Sequence, residues 1–112
     1  PLTSIKDVIM LRLVPSATFE TSVSIPVPGQ KEDATIRVSF KYLGKDKLRV
    51  FLESLEGRED VDALAEIVEG WKDVDQPYSR DNLAALLTAY PMAALSFFEA
   101  FQKEVFKAKA GN

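Results

Sequence analysis

Carboxylates are the residues of this chain that could most readily do chemistry. Asp73 and Asp75 form a close pair in a polar stretch. A second acidic group contains Glu56, Glu59, Asp60 and Asp62. Paired carboxylates catalyse acid and base steps when their surroundings separate their pKa values. Close spacing in a polar loop supplies no such asymmetry, and the calcium-loop pattern of further oxygen ligands is absent. We therefore interpret these carboxylates as solvated charges. A small enzyme or ligand-binding domain with a carboxylate site is kept as the last of three hypotheses for the function.

Two residue types that commonly carry catalysis are missing. The chain has no histidine and no cysteine. These absences remove the commonest general base, the thiolate nucleophile and thiolate metal sites. No serine is followed by lysine three residues later, and the glycine patterns of phosphate-binding loops are absent. The sequence therefore predicts a protein that is not an enzyme and uses no cofactor or metal.

Composition and charge indicate one folded domain. The chain has 112 residues, of which 46% are hydrophobic and 28% charged. This length suits a single hydrophobic core, so we assign one domain, 1–112. The net charge is -3, and lysine and arginine are scattered along the chain without forming a basic stripe. Nucleic-acid binding is therefore disfavoured.

Neither the apolar runs nor the first residues of the chain indicate a membrane or secreted protein. The longest apolar runs, such as 84–87 and 91–95, are far shorter than the roughly 20 residues that span a bilayer. Residues 1–6 lack the basic and apolar pattern of a secretory signal. We therefore expect an intracellular protein without a membrane partner.

The first part of the chain alternates like a sheet. Apolar and polar residues alternate through 19–27 and again through 34–42, with turn-forming residues at 28–33 between them. Pro26 marks the first run as an edge strand. The segment 2–13 fits a strand or a short helix, with a preference for strand. We predict an antiparallel hairpin with one apolar face within a β-rich part, 1–43.

The rest of the chain, 44–112, has the periodicity of about four helices. Apolar residues recur at helical spacing at 48–55, and Gly57 marks the end of this first helix. They recur again at 61–71, where Asp60 is the predicted N-cap of the second helix. Ser79 is a suitable N-cap for a third helix. Pro91 ends that helix and suits the first position of a fourth, whose predicted stripe is Leu95, Phe98, Phe101, Gln102 and Val105. The predicted fold class is α+β, with an N-terminal antiparallel hairpin or small sheet packed on a C-terminal layer of helices.

Aromatic side chains are the best candidates for a protein interface. Phe97 and Phe106 lie outside the predicted stripe of the fourth helix, and aromatic residues are favoured at interface cores. Phe98 and Phe101 are better explained as core. Trp71 and Tyr78 form a second candidate patch, with Trp71 as the last core residue of the second helix as the alternative. The predicted interface residues are therefore Phe97, Phe106, Trp71 and Tyr78.

The C-terminal half also carries a family resemblance. Its motifs are Gly70-Trp71-Lys72-Asp73-Val74, Tyr78-Ser79, Leu83, Leu86-Leu87, Tyr90-Pro91 and Gly111-Asn112. In these motifs the chain resembles the tail assembly chaperones of bacteriophages with long non-contractile tails, from about Val61 to the end.

The resemblance implies a chaperone that coats the tape measure protein, keeps it soluble and helps recruit tail tube subunits, the major tail protein. It also implies a weak homo-oligomer that acts in the host bacterial cytoplasm and is absent from the mature virion. The alternative is a structural tail or connector component that stays in the particle.

Overall fold

The computed structural model describes residues 10–107, which form a three-stranded sheet and four helices. The elements follow the order β1 (Thr18–Ile25), β2 (Ala34–Lys41), α1 (Lys45–Glu53), α2 (Asp60–Ile67), β3 (Val68–Lys72), α3 (Arg80–Ala89) and α4 (Ala93–Val105). This architecture confirms the predicted α+β class.

The predicted hairpin is present. Strands β1 and β2 pair antiparallel from Thr18 opposite Lys41 to Ile25 opposite Ala34. Gly29 adopts a φ of 87° in the connecting turn, a conformation that glycine reaches without steric cost. β1 ends immediately before Pro26 and forms one edge of the sheet, as the proline predicts.

The third strand corrects the prediction that the second helix continues to Trp71. Helix α2 ends at Ile67, and β3 pairs antiparallel with β2, placing Trp71 opposite Val38. The apolar residues of 61–71 fit helical spacing, but the five residues of β3, Val68–Lys72, pair with the edge of β2 instead of continuing the helix. The nominally helical part, 44–112, therefore contains a strand.

The two faces of the sheet have opposite character. On the outer face Glu20 forms ion pairs with Arg37 at 3.0 Å and with Lys72 at 3.4 Å. The hydrogen bond from Arg37, followed by that from Lys72, lowers the pKa of the Glu20 carboxyl. The inner face is apolar and is covered by the helices, so each strand has one solvated and one buried side.

Helix α4 supplies Phe97 and Phe101 to the aromatic centre of the core, and both are fully buried, as is Ala93. The Phe97 ring lies 6.5 Å from that of Phe40, and the Phe101 ring lies 5.4 Å from it. The choice of Phe97 as an interface residue outside the helix stripe is therefore corrected, because its side chain is buried in the core. The buried stripe is rotated from the predicted one, because the residues at i, i+4 and i+8 from Ala93 face the sheet and Leu95 is 49% exposed.

Helix boundaries follow local backbone chemistry. Gly57 has a φ of 79° in the turn after α1, and Ser79 caps α3 by accepting a hydrogen bond from the backbone N–H of Asn82 at 3.1 Å. Helix α2 begins at Asp60 with Glu59 as its cap, one residue before the predicted position. Pro91 separates α3 from α4, which begins two residues later at Ala93 instead of at the proline.

Among residues 10–107, no single helix is both long and apolar enough to cross a bilayer; α3 and α4 meet that criterion only jointly, and they are bent by 113°.

The first described residues are mostly apolar and exposed. Met10, Leu11, Leu13 and Val14 are 85%, 92%, 98% and 76% exposed. Residues 10–17 contain no helix or strand, so the preference for a strand is wrong for 10–13. The remainder of that predicted element, 2–9, and the Gly111-Asn112 motif lie outside the described residues.

Candidate protein-binding groove

An apolar groove lies between one end of the sheet and helix α3. Its volume is about 370 Å³. We call it the α3 groove. Its lining comes from the three strands, the turn after β1, the loop after β3 and helix α3 with its cap: Ile25, Val27, Ala34, Ile36, Trp71, Asp73, Val74, Asp75, Gln76, Asn82, Ala85, Leu86 and Tyr90.

Trp71 connects the strand to the loop that borders the groove. Its position opposite Val38 puts its side chain on the inner face of the sheet, where it is half-buried. The indole Nε1 donates a hydrogen bond to the Gln76 carbonyl at 2.8 Å. The loop 73–76 is thereby tied back to β3, which fixes one wall of the groove.

Tyr78 supports Trp71 from behind this loop. The two rings meet edge to face, with centroids 5.2 Å apart and planes at 86°. Partial burial, reinforced by the nearby charge of Glu69, raises the pKa of the Tyr78 hydroxyl, and Arg80 acts in the opposite direction. Tyr78 therefore keeps its proton to a higher pH than an unperturbed tyrosine, and it braces the groove without lining it.

Helix α3 forms the second wall. Its groove-facing residues Asn82, Ala85, Leu86 and Tyr90 recur at helical spacing. Asn82 also donates a side-chain hydrogen bond to the Pro77 carbonyl at 2.8 Å, so the start of the helix and the loop before it are held together. Leu83, on the same helix, does not line the groove and is fully buried in the core.

The groove has an apolar floor and an acidic rim. Among the described residues, Asp73 and Asp75 are the charged side chains that line it, and both are exposed. Asp73 has a φ of 71°, which aspartate tolerates better than most residues. Within residues 10–107, no group of three or more acidic side chains is placed to hold a metal ion.

Exposed apolar residues extend from the groove at the corner between α3 and α4. Tyr90, which lines the groove, is 36% exposed, and Met92 and Leu95 are 45% and 49% exposed. Exposed apolar residues that adjoin an apolar groove are typical of a protein-binding site.

The predicted interface residues are distributed over three environments. Phe97 is in the core and is excluded from a surface role. Trp71 and Tyr78 lie together at the groove, whereas Phe106 is 57% exposed beyond the end of α4 and does not line the groove. Trp71, Tyr78 and Phe106 stay predictions as interface residues.

Sequence reasoning missed the α3 side of the groove. Leu86 and Tyr90 share the helical spacing of the buried Leu83, so the sequence does not separate groove-lining residues from core residues on this helix. A wide apolar face was the available signal, because a helix that packs on a core and also lines a groove needs apolar residues over more than one narrow stripe.

Comparison with known protein families gives a match over almost the whole chain. The family described as phage tail assembly chaperone matches residues 8–112. This range includes the sheet as well as the helices, and so extends beyond the C-terminal half that carries the resemblance in sequence. No curated protein and no solved structure matches the chain.

Proposed function

Because the chain belongs to the phage tail assembly chaperone family, we propose that it binds the tape measure protein of its phage and keeps that protein soluble during tail assembly. The observation that carries the proposal is the α3 groove, whose apolar floor opens onto the exposed Tyr90 and Met92. A groove of this kind suits anchor side chains on one face of an amphipathic helix. The chain acts as a binding partner and not as an enzyme.

The client would gain from such a groove through burial of apolar area. A long helical protein with exposed apolar stripes aggregates unless those stripes are covered. Covering one exposed leucine-sized side chain is worth about 1.5–3 kcal/mol. Trp71 and Tyr90 would supply the aromatic contacts that dominate many interfaces, with Tyr78 holding Trp71 in place.

The remaining steps of tail assembly follow from this role. The chaperone associates weakly with itself, presents the coated tape measure protein to tail tube subunits, and leaves as the tube polymerises. It works in the host bacterial cytoplasm. Family membership favours this role over that of a structural component retained in the particle. Mass spectrometry of purified virions distinguishes the two, since a chaperone would be absent and a component present in stoichiometric amount.

Co-expression with the tape measure protein encoded by the same phage tests the proposal. We expect the wild-type chain to recover soluble tape measure protein in a pulldown. Ala85→Glu places a charged side chain in the groove at an exposed helical position and should abolish capture. Thr88→Glu, on the same helix but outside the groove lining, is the matched control and should capture normally.

Circular dichroism would establish that both variants are folded before the pulldowns are compared. Equal capture by Ala85→Glu and the wild type would show that the client binds elsewhere. Failure of the wild-type chain to capture any tape measure protein would contradict the proposed function itself.

A further inference from the structure

The apolar segment that precedes β1 is unusual for a folded protein in water. We call residues Met10–Val14 the N-terminal arm. Its four apolar side chains are at least 76% exposed, and its remaining residue, Arg12, is a cation. Contiguous exposed apolar residues of this kind mark an interaction site.

The arm and the α3 groove are complementary in both polarity and charge. The groove offers an apolar floor beside Asp73 and Asp75, and the arm offers apolar side chains on both sides of one arginine. The other apolar depressions match less well. One is lined by Asp46 and Glu66 together with Lys47 and Arg58, and another by both Glu104 and Lys107.

The arm does not fill the groove of its own chain. Its four apolar side chains are at least 76% exposed, and none of them lines the groove. The arm joins β1 at Thr18, whereas Ile25, at the other end of that strand, lines the groove. The groove is therefore open to the arm of another molecule.

We propose that the N-terminal arm of one molecule binds in the α3 groove of a second copy, with Arg12 beside Asp73 and Asp75 of that copy. The inference rests on the self-association proposed above and specifies the two surfaces through which the copies associate. The arm and the groove are different surfaces at opposite ends of β1, so the contact is head to tail and can add further copies. The arm and the tape measure protein would then compete for the same groove.

Cross-linking tests the contact directly, because the chain has no cysteine of its own. One chain carries Leu13→Cys and the other Ala85→Cys, and the two are mixed under mild oxidation. We expect a disulfide-linked dimer on a non-reducing gel. Ser24→Cys, exposed on the polar face of β1, replaces Ala85→Cys in the control and should give little dimer.

Charge reversal tests the placement of Arg12. Adding Arg12→Glu to the Leu13→Cys chain should lower the cross-linking yield by about fivefold, an upper-range value for an exposed ion pair. Adding Asp75→Lys to the Ala85→Cys chain should then restore much of the loss. An unchanged yield in both cases would contradict the charge pairing.

Sedimentation of the wild type and of Leu11→Asp/Leu13→Asp separates failure of the contact from failure of self-association. We expect the wild type to associate as its concentration rises and the arm variant to remain monomeric. Equal association of both, or cross-linking at Ala85 no greater than at Ser24, would overturn the arm contact while leaving self-association intact. A wild type that is monomeric at all concentrations would overturn both. None of these results depends on the tape measure protein.

Discussion

The indole ring of Trp71 and the phenol ring of Tyr78 meet edge to face at 5.2 Å, across the loop that joins β3 to α3. Trp71 also donates a hydrogen bond to the Gln76 carbonyl within that loop. The two rings therefore join the last strand of the sheet to the start of the helix that faces it. The shape of the α3 groove depends on this connection.

Replacing Trp71 should loosen the groove before it unfolds the protein. Trp71→Phe keeps an aromatic ring but removes the Nε1 donor, and we expect a loss of about 1 kcal/mol in the free energy of unfolding. Chemical denaturation measures this loss. The exposed Tyr42→Phe is the control and should change the unfolding free energy by less than about 0.5 kcal/mol. Equal stability of Trp71→Phe and the wild type would argue against the Gln76 hydrogen bond as a stabilising contact.

Phe97 and Phe106 should respond oppositely to truncation. Phe97 is fully buried, so Phe97→Ala should lower the unfolding free energy by about 3–5 kcal/mol. Phe106 is 57% exposed, and Phe106→Ala should change it by about 0.5 kcal/mol or less. Thermal denaturation of the two variants checks both values. A mild effect at Phe97 would contradict its place in the core.

A folded Phe106→Asp variant tests whether Phe106 contacts the tape measure protein. Because Phe106 does not line the α3 groove, we expect normal capture of tape measure protein in the pulldown. Loss of capture with the fold retained would reveal a second contact beyond the end of α4.

The cap of α3 can be tested by exchanging Ser79. The Ser79 hydroxyl accepts the backbone N–H of Asn82, and Ser79→Ala should cost about 1 kcal/mol in unfolding free energy. Ser79→Asp supplies another capping oxygen and should retain most of the stability. A similar loss in both variants would show that the hydroxyl contributes through some contact other than the cap.

Deprotonation of Tyr78 at alkaline pH should lower the free energy of unfolding. The pKa of Tyr78 is raised above the 10.0 of an unperturbed tyrosine, because burial and Glu69 disfavour the phenolate. The folded state therefore holds this proton more tightly than the unfolded state. The resulting stability is fully present below about pH 10 and is lost as the pH rises through the folded-state pKa. Denaturation midpoints measured across this range should fall less steeply for Tyr78→Phe than for the wild type, and identical slopes would contradict the assignment.

The hairpin was predictable because its signals agree. Alternation of apolar and polar residues, a turn-forming stretch and Pro26 all indicate the same two strands. Ser79 and Gly57 likewise mark helix ends by local chemistry that does not depend on distant parts of the chain.

Strand β3 was not predictable in the same way. Val68 and Trp71 continue the helical spacing set by Val61 and Leu64, and a strand of five residues offers few alternations. Its formation depends on a partner about thirty residues earlier, since β2 would otherwise leave its edge unpaired. The position of Phe97 was missed for a related reason: which side of α4 is buried depends on how the helix lies across the sheet, and both sides are apolar.

Residue type alone directed attention to Trp71 and Tyr78, which lie together at the α3 groove and stay predictions as interface residues, whereas the groove itself was not predicted. The groove exists because β3 places Trp71 beside α3, and a sequence analysis that continues α2 to Trp71 cannot bring these residues together.

Hydrogen–deuterium exchange of the chain, alone and bound to the tape measure protein, tests the central claim most directly. If the client occupies the α3 groove, amides in the loop 73–76 and along α3 should exchange more slowly in the complex, while those of α1, which contributes no residue to the groove lining, should not change. Protection confined to other surfaces, with α3 and its preceding loop exchanging as in the free chain, would contradict the groove as the client site.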